Sequence, residues 1–310
     1  MAQTPIPLIA IVGPNASGKS NLAIRLAKTF NGEIISADSR QVYRGLDIGS
    51  GKVPGQWRES GFWYRSIRHH CIDIVSPRKT YSVIDFKRCA DEAIRDITQR
   101  GKIPILVGGT GFWVDVVAHG LELPAVPPNV KLRRSLEKKP TAELMRMLKR
   151  LDPERAMTIE PKNPRRLIRA IEIARVLGHA PSIKQSSPYR TLWIGLALPH
   201  NELLRRIDTR LHQRIRAGMI REARRLHRDG LSWKRFAGLG LEYRWLAAYL
   251  RGRIQRQEFK IRLALDIKRF AGDQIRWFKR NPEIRWIRNS AAAKRLAEQF
   301  ITQYAREKLR

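Results

Sequence analysis

The chain is poor in cysteine, in acidic residues and in long apolar runs. It has two cysteines, Cys71 and Cys89, which form no C-x-x-C pair, so the sequence suggests neither a zinc site nor a disulfide framework. No apolar run approaches the ~18 residues that a membrane span requires. Residues 1–7 also lack the basic segment that precedes the apolar core of a signal peptide. We therefore expect a cytoplasmic protein with no membrane partner.

The shortage of acidic residues leaves a large positive charge. The chain has 61 Lys and Arg against 28 Asp and Glu, a formal net charge of +33. Because neutralising phosphates releases counterions, clustered Lys and Arg favour a polyanionic partner. Arg outnumbers Lys, which suits bidentate phosphate contacts. The charge favours a nucleic acid as partner, and a generally basic proteome is the alternative explanation.

A phosphate-binding loop is predicted near the start of the chain. The apolar run Leu8–Val12 is typical of a buried strand, and residues 21–30 carry apolar side chains at helical spacing. Between them lies a G-x-x-x-x-G-K-[ST] match, formed by Gly13, Pro14, Asn15, Ala16, Ser17, Gly18, Lys19 and Ser20. In this context backbone N–H groups and a helix N-terminus face an anion. We predict a bound di- or triphosphate, with Lys19 as a point charge and the Ser20 hydroxyl on Mg²⁺.

Two further predicted strands end in polar residues. The strand Glu33–Ala37 precedes Asp38, and the strand Ile103–Val107 precedes a second glycine loop that contains Thr110. Ligands of open α/β sheets bind at the carboxyl ends of the strands, so we expect Asp38 beside the phosphate loop. A carboxylate there can hold a metal or accept a proton. An Asp that caps the next helix is the alternative for this residue.

Adjacent histidines, His69 and His70, open the predicted strand 69–75. Neighbouring side chains on a strand point to opposite faces, so we do not expect one metal ion between them. A predicted helix, Val83–Gln99, comes after this strand.

Composition divides the chain into three parts. Prolines 124, 127 and 128 indicate a linker, and basic residues in helical patterns dominate residues 131–190. We predict an α/β fold with a P-loop NTPase-like parallel sheet core, an inserted helical lobe and a helical C-terminal region. The first part of the core spans residues 1–120, the inserted lobe 121–190, and the rest of the core with the basic helices 201–228 and 240–310 spans 191–310. The basic face of the lobe is a candidate RNA surface, and a solvated charged face is the alternative.

Segments spread over most of the chain resemble the bacterial tRNA dimethylallyltransferase family, in the family's order. They are Gly13–Ser20, Asp38–Gly49, His69–Asp73, Gly108–Trp113, Asp152-Pro153, Arg166–Glu172, Arg206–Arg210 and Gln274–Phe278. This family transfers a dimethylallyl group from its diphosphate to N6 of adenosine 37, beside the tRNA anticodon. The resemblance implies the same reaction, with Mg²⁺ as cofactor and with dimethylallyl diphosphate and the tRNA anticodon loop as partners.

The resemblance also implies roles for individual residues. Asp38 would be the general base for the N6 proton, Thr110 would contact the reacting centre, and Arg210 would bind the diphosphate. The diphosphate would lie in the loop 13–20, with the metal at Ser20. The residues implied to contact tRNA are Asp38, Ser39, Arg40, Gln41, Thr110, Lys131, Asn163, Arg165 and Arg166.

The sequence departs from the family's usual residues at several positions. The departures are Asn15, Ser20, Lys131, Asn163, Gly238–Tyr243 and Gly272-Asp273. Asn15, where Thr is usual, lies nearest to the chemistry. Lys131 stands where Arg is expected and lacks the planar fork for bidentate phosphate contact.

Three other functions fit parts of the sequence. A P-loop kinase of a small metabolite uses the same loop, Mg²⁺ and a base, and a prenyltransferase of free adenine nucleotides uses similar chemistry. Neither explains the charge of +33 or a basic insert. A non-enzymatic RNA-binding module explains the charge and leaves Asp38 and the phosphate loop without a role. A tRNA prenyltransferase accounts for both, and nothing in the sequence requires more than a monomer.

Overall fold

The computed structural model describes residues 5–181 and 184–308, which form strands and helices in alternation. The strands are β1 Ile6–Val12, β2 Gly32–Ala37, β3 Gln56–Arg58, β4 Gly61–Tyr64, β5 Ile67–His70, β6 Ile103–Gly108, β7 Tyr189–Leu196 and β8 Arg285–Ile287. The helices are α1 Lys19–Thr29, α2 Val83–Gln99, α3 Gly111–Ala118, α4 Val130–Leu136, α5 Thr141–Leu151, α6 Pro153–Thr158, α7 Pro164–Leu177, α8 His200–Arg216, α9 Met219–Arg228, α10 Trp233–Ala237, α11 Leu241–Leu250, α12 Arg256–Phe278 and α13 Ser290–Lys308. Within these ranges no helix has both the length and the apolar character needed to cross a bilayer.

The strands form one sheet in the order β3-β4-β5-β2-β6-β1-β7-β8. Neighbouring strands from β5 to β8 run parallel, and β3 and β4 form an antiparallel edge. In the parallel register, Val12 of β1 and Ala37 of β2 both pair with Gly108 of β6. The loops after these three strands therefore leave the sheet side by side, at the edge where ligands of such sheets bind. The predicted α/β class with a mostly parallel sheet is confirmed.

Two compact units make up the described residues. The first comprises the chain up to residue 120 together with residues from 187 onward, and the second comprises residues 121–186. In the first unit, α1 and α13 cover one face of the sheet, and α2, α3 and α8–α12 contribute to the core on the other face. In the second unit, α4–α7 surround a core of their own. Its Glu172 is buried and forms ion pairs with Arg133 and Arg169, at 2.7 Å each.

Some local predictions are wrong. The strand expected over 69–75 ends at His70, because Cys71 and Asp73 adopt φ values of 55° that a strand does not accommodate. The segment 201–228 is helical, as predicted, and consists of two helices with Gly218 at φ 108° between them. Trp286, expected on a helix, lies on the edge strand β8.

The two cysteines are joined as a disulfide between Cys71 and Cys89, whose Cα atoms lie 6.1 Å apart. The expectation that they form no disulfide is therefore wrong. The turn after β5 brings Cys71 against α2, which carries Cys89. A separation of 18 residues matches no local motif, so the pairing depends on tertiary packing.

Candidate active site

The loop Gly13–Ser20 joins the end of β1 to the start of α1. Gly13 and Gly18 have φ values of 143° and 98°, which L side chains rarely adopt, and Gly18 is the N-cap of α1. Ser17 Oγ is buried and has no hydrogen-bond partner among the described residues. An orphaned buried hydroxyl beside a helix N-terminus suits an anionic oxygen. The loop therefore has the geometry of a phosphate cradle.

Two cations face this cradle, Lys19 from α1 and Arg210 from α8. The Lys19 ammonium donates a hydrogen bond of 2.7 Å to the Pro14 carbonyl. Desolvation and the nearby charge of Arg210 lower the pKa of Lys19 to about 7, although Asp38 acts in the opposite direction. Desolvation and the charge of Arg214 likewise lower the pKa of Arg210. Two neighbouring cations without enough counter-charge favour the binding of a polyanion.

Asp38 follows β2, and its Oδ1 atom accepts hydrogen bonds from the backbone N–H groups of Arg40 at 2.8 Å and Gln41 at 3.3 Å. The carboxylate therefore caps a turn, not a helix. Its Oδ2 atom has no hydrogen-bond partner in the described part of the chain, and the residue lines a cavity. One oxygen fixes the turn and the other is free to accept a proton.

Thr110 lies directly against this turn. Its Oγ1 atom accepts a hydrogen bond of 3.1 Å from the backbone N–H of Ser39, and its own N–H donates to the Ala37 carbonyl at 3.4 Å. Thr110 is half-buried at the start of α3. The structure thus brings Asp38, Ser39 and Thr110 together, as expected for residues at the ends of neighbouring parallel strands.

Gln274 on α12 connects the two glycine loops. Its Oε1 accepts from the backbone N–H of Asn15 and its Nε2 donates to the Gly109 carbonyl, both at 2.8 Å. A Cβ atom at position 109 would lie 2.4 Å from this Nε2, so only glycine fits there. Gln274 lies in a motif of the resemblance, but the sequence indicates no role for it, because only tertiary packing brings it to the loops.

Several of the predicted residues of the first unit line one partly open cavity of about 80 Å³, whereas Ser39 and Thr110 are not part of its wall. Its lining includes Asn15, Ala16, Lys19, Ser20, Asp38, Gln41, Gly109 and Arg210. Apolar side chains, among them Ile34, Val53 and Val107, supply the rest of its wall. A wider opening of about 540 Å³ shares Lys19 and Ser20 and adds Arg205 and Arg206. Arg40, another predicted site residue, packs against Gly240 instead. A Cβ atom added to Gly240 would lie 2.8 Å from Arg40 Nε.

The remaining predicted tRNA contacts lie in the second unit. Lys131 is exposed on α4, and Arg165 and Arg166 are exposed in the first turn of α7. Asn163 is the N-cap of α7, and its side chain accepts a hydrogen bond of 3.3 Å from the Arg166 N–H. The observed contact of Asn163 is thus a helix cap, and the tRNA role of these residues stays a prediction.

The two histidines at the end of β5 have separate partners. His69 Nδ1 lies 3.0 Å from the Ile67 carbonyl, and burial lowers the pKa of His69 to about 4. His70 Nε2 lies 2.8 Å from Glu33 Oε2. Glu33 also forms ion pairs with Arg100 at 2.5 Å and Lys102 at 2.8 Å. Glu33, His70 and a nearby aspartate have metal-ligand spacing, but two cations already occupy the Glu33 carboxylate, so we interpret the cluster as an ion-pair network.

The residues around the phosphate loop fit a Mg²⁺ ion. The Ser20 hydroxyl and the Asp38 carboxylate line the same cavity. Mg²⁺ prefers such hard oxygen ligands and is often held by few protein groups together with phosphate oxygens. Ser20 would hold the ion jointly with a bound diphosphate.

A phosphate cradle, two cations and a free carboxylate oxygen around one cavity define an α/β enzyme that acts on a phosphorylated substrate. Models of two protein families match the sequence: IPP transferase over residues 41–281 and isopentenyl transferase over residues 6–57. The chain belongs to the IPP transferase family.

Individual relatives agree with this assignment. The chain is 43% identical over 286 residues to the tRNA dimethylallyltransferase of a Roseiflexus species, covering 90% of this chain and 92% of that protein. It is 39% identical over 287 residues to the tRNA dimethylallyltransferase of Thermomicrobium roseum, covering 90% and 85%. The crystal structure of full-length tRNA isopentenylpyrophosphate transferase from Bacillus halodurans superposes with a TM-score of 0.73 at 32% identity, covering 98% of this chain and all of that one.

Proposed function

We propose that this protein transfers the dimethylallyl group of dimethylallyl diphosphate to N6 of adenosine 37 in the tRNA anticodon loop and releases diphosphate. The observation that carries the proposal is the single cavity lined by the phosphate loop, Asp38 and Arg210. In this member of the IPP transferase family, the cavity offers a candidate diphosphate site beside a candidate proton acceptor. The names of its relatives support the choice of tRNA as the acceptor.

The reaction needs a base, and Asp38 is the group that fits. The adenine N6 attacks C1 of the dimethylallyl group, a C1–N6 bond forms, and the C1–O bond to the diphosphate breaks. The N6 proton passes to Asp38, whose Oδ2 is free while Oδ1 is fixed by the Arg40 and Gln41 N–H groups. Proton transfer to a positioned base contributes typically 10²–10⁴-fold to a rate, an order-of-magnitude figure of about 3–5 kcal/mol. Thr110, hydrogen-bonded to Ser39, orients this turn.

The departing diphosphate needs positive charge. Lys19 and Arg210, which line the same cavity, supply it, and the backbone N–H groups of the loop add fixed dipoles. Mg²⁺, when bound at Ser20, adds charge stabilisation of the diphosphate oxygens. Because Lys19 and Arg210 repel one another, a diphosphate is bound more strongly than a neutral ligand.

The polyanionic substrate accounts for the charge of the chain. Exposed Arg165 and Arg166, with Lys131, offer phosphate contacts from the second unit. The target adenine must leave its stack to reach the cavity, which a single-stranded loop allows at modest cost. We further propose that the protein acts as a monomer in the cytoplasm.

One incubation tests the reaction and the substrate together. The protein is mixed with Mg²⁺ and labelled dimethylallyl diphosphate, with unmodified tRNA in one tube and AMP or ATP in parallel tubes. We expect label at one adenosine of tRNA, and labelling that is slower by about 10²–10⁴-fold in the Asp38→Asn variant. Label in AMP or ATP would instead indicate a nucleotide prenyltransferase. No transfer to any acceptor by the unaltered protein would contradict the proposal and direct attention to phosphoryl transfer.

A further inference from the structure

A buried carboxylate outside the cavity holds one of the loops that form it. Glu222, on α9, is 6% exposed. Its two oxygens accept hydrogen bonds from three successive backbone N–H groups: Asp47 at 2.9 Å, Ile48 at 2.6 Å and Gly49 at 2.9 Å. Hydrogen bonds to a charged acceptor are about twice as strong as neutral ones. The segment 47–49 is therefore anchored through its main chain and independently of its side chains.

Tyr243 provides a further hydrogen bond to the Glu222 carboxylate. Its hydroxyl donates a 2.8 Å hydrogen bond to Glu222 Oε1, and the side chain is fully buried. Burial and the charge of Glu222 raise the pKa of Tyr243, so this hydroxyl keeps its proton. A Cβ atom on Gly49 would lie 2.3 Å from the Tyr243 hydroxyl, so glycine at this position permits the close approach.

The same segment is held from its carbonyl side by Arg214. This side chain donates to the Ile48 carbonyl at 2.7 Å and to the Gly49 carbonyl. Arg214 is in turn paired with Glu242 at 3.1 Å. Charged side chains thus bind both the N–H and the C=O groups of Ile48 and Gly49, which fixes the position of this segment against α8 and α9.

The anchored segment 47–49 is followed by Gly51, which contacts Arg210, the cation proposed to bind the diphosphate. Two residues after Gly49, the carbonyl of Gly51 accepts hydrogen bonds from Arg210 Nη2 at 3.0 Å and from Gln41 Nε2 at 3.5 Å. Arg210 has no other hydrogen bond within the described ranges. The position of the Gly51 carbonyl therefore determines where the Arg210 guanidinium points.

We propose that Glu222, together with Tyr243, is a positioning residue that directs Arg210 at the diphosphate through the segment 47–51. The inference rests on the proposed transfer reaction for its kinetic consequence. It assigns no contact with substrate to Glu222. Loss of this anchor releases the Gly51 carbonyl, and Arg210 then meets the diphosphate in many orientations instead of one.

The test compares Glu222→Gln and Tyr243→Phe with the unaltered protein. We expect Glu222→Gln to raise KM for dimethylallyl diphosphate by about 10- to 100-fold, the loss expected for one hydrogen bond to a charged group. Tyr243→Phe should raise it by about threefold, because one neutral donor is lost. KM for tRNA should stay unchanged in both variants. A purely structural role would lower the fraction of folded enzyme and would leave both KM values unaltered.

The control is Tyr249→Phe, on the same helix α11. The Tyr249 ring stacks on Phe259 at 5.4 Å, and its hydroxyl makes no hydrogen bond in the part of the chain described. We expect this variant to keep both KM values. If Glu222→Gln fails to fold, Tyr243→Phe still gives the comparison.

Calorimetric titration with inorganic diphosphate and Mg²⁺ gives a second readout, which does not depend on the reaction. We expect the affinity for diphosphate to be highest in the unaltered protein, lower in Tyr243→Phe and lowest in Glu222→Gln. Equal affinities in all three would overturn the positioning role, whether or not the protein modifies tRNA. A protein that does not modify tRNA but shows this order would contradict only the proposed function.

Discussion

Gln274 and Asn15 are 259 positions apart in the sequence and are joined by a hydrogen bond of 2.8 Å, from the Asn15 N–H to Gln274 Oε1. The donor is the backbone, so the bond does not depend on which side chain occupies position 15. Through its Nε2 atom Gln274 also holds Gly109, and so one amide sets the spacing of the two glycine loops. The departure from Thr at position 15 leaves this connection intact.

Replacing Gln274 with Leu, which has a similar volume, removes both hydrogen bonds. The Asn15 N–H and the Gly109 carbonyl lose their partner, and an unsatisfied buried polar group costs about 1–3 kcal/mol. We expect the free energy of unfolding to fall by about that amount and KM for dimethylallyl diphosphate to rise. Denaturant unfolding and steady-state kinetics measure the two effects. Gln303→Leu, at an exposed position of α13, should change neither.

Asp38→Asn separates the chemistry of Asp38 from its structural contact. The Asn side-chain oxygen still accepts from the Arg40 and Gln41 N–H groups, as Asp38 Oδ1 does, but the amide does not take up a proton. We expect turnover to fall by about 10²–10⁴-fold, with the Kd for tRNA unchanged within a small factor. Filter binding and single-turnover transfer measure these quantities. Turnover close to that of the unaltered protein would remove Asp38 from the role of base.

Arg165 and Arg166 are expected to contact tRNA phosphates from the second unit. Replacing both with Ala should weaken tRNA binding and reduce the slope of log K against log salt by about 1 per lost contact. Lys149 and Arg150 are exposed at the end of α5 in the same unit. Their double Ala variant removes equal charge and serves as the control. An equal effect in both double variants would indicate a long-range charge effect without specific contacts.

Glu33 gives a pH-dependent contribution to stability. Burial raises the pKa of Glu33, but hydrogen bonds from Arg100, His70 and Lys102 outweigh it and hold the pKa well below its ordinary value of 4.5. A depressed folded-state pKa stabilises the protein fully above the unfolded pKa, and the stabilisation is lost as pH falls below 4.5. We expect Glu33→Gln to lower the free energy of unfolding by about 1–3 kcal/mol at neutral pH, the loss typical of hydrogen bonds to a charged group.

The difference between Glu33→Gln and the unaltered protein should shrink progressively below pH 4.5, measured by denaturant unfolding at several pH values. Glu298→Gln is the matched control: its carboxylate is half exposed and lies 3.6 Å from Lys294, and exposed pairs contribute about 0–1 kcal/mol. A difference that stays constant from neutral to acidic pH would show that the Glu33 charge is not what stabilises the fold.

Local patterns in the sequence were sufficient to predict the strand-loop-helix unit at Gly13–Ser20, the helix Val83–Gln99 and the strands that deliver Asp38 and Thr110. These features depend on residues close together in the chain, and period and glycine placement reveal them. The location of the ligand site at the carboxyl ends of the strands then follows from a general rule for parallel sheets. The α/β core was predictable for that reason.

The contacts that complete the site were not predictable in this way. Glu222 lies more than 170 positions from the N–H groups it binds, and an isolated Glu on a basic amphipathic helix resembles any solvated residue. Cys71 and Cys89 likewise meet only after α2 has packed on the sheet. Asn163 was predicted to touch tRNA, and the structure shows it as a helix cap, a role that Asn favours at many helix starts.

The bond between Gln274 and Asn15 has a consequence for biosynthesis. A ribosome adds about 5–20 residues per second. About 10–50 s therefore pass between the synthesis of Asn15 and that of Gln274, which lies 259 residues later. Until then the nascent chain presents a cationic loop without the amide that fixes it. A chain that ends before α12 lacks this connection, so the spacing of the two glycine loops is fixed only when translation has passed residue 274.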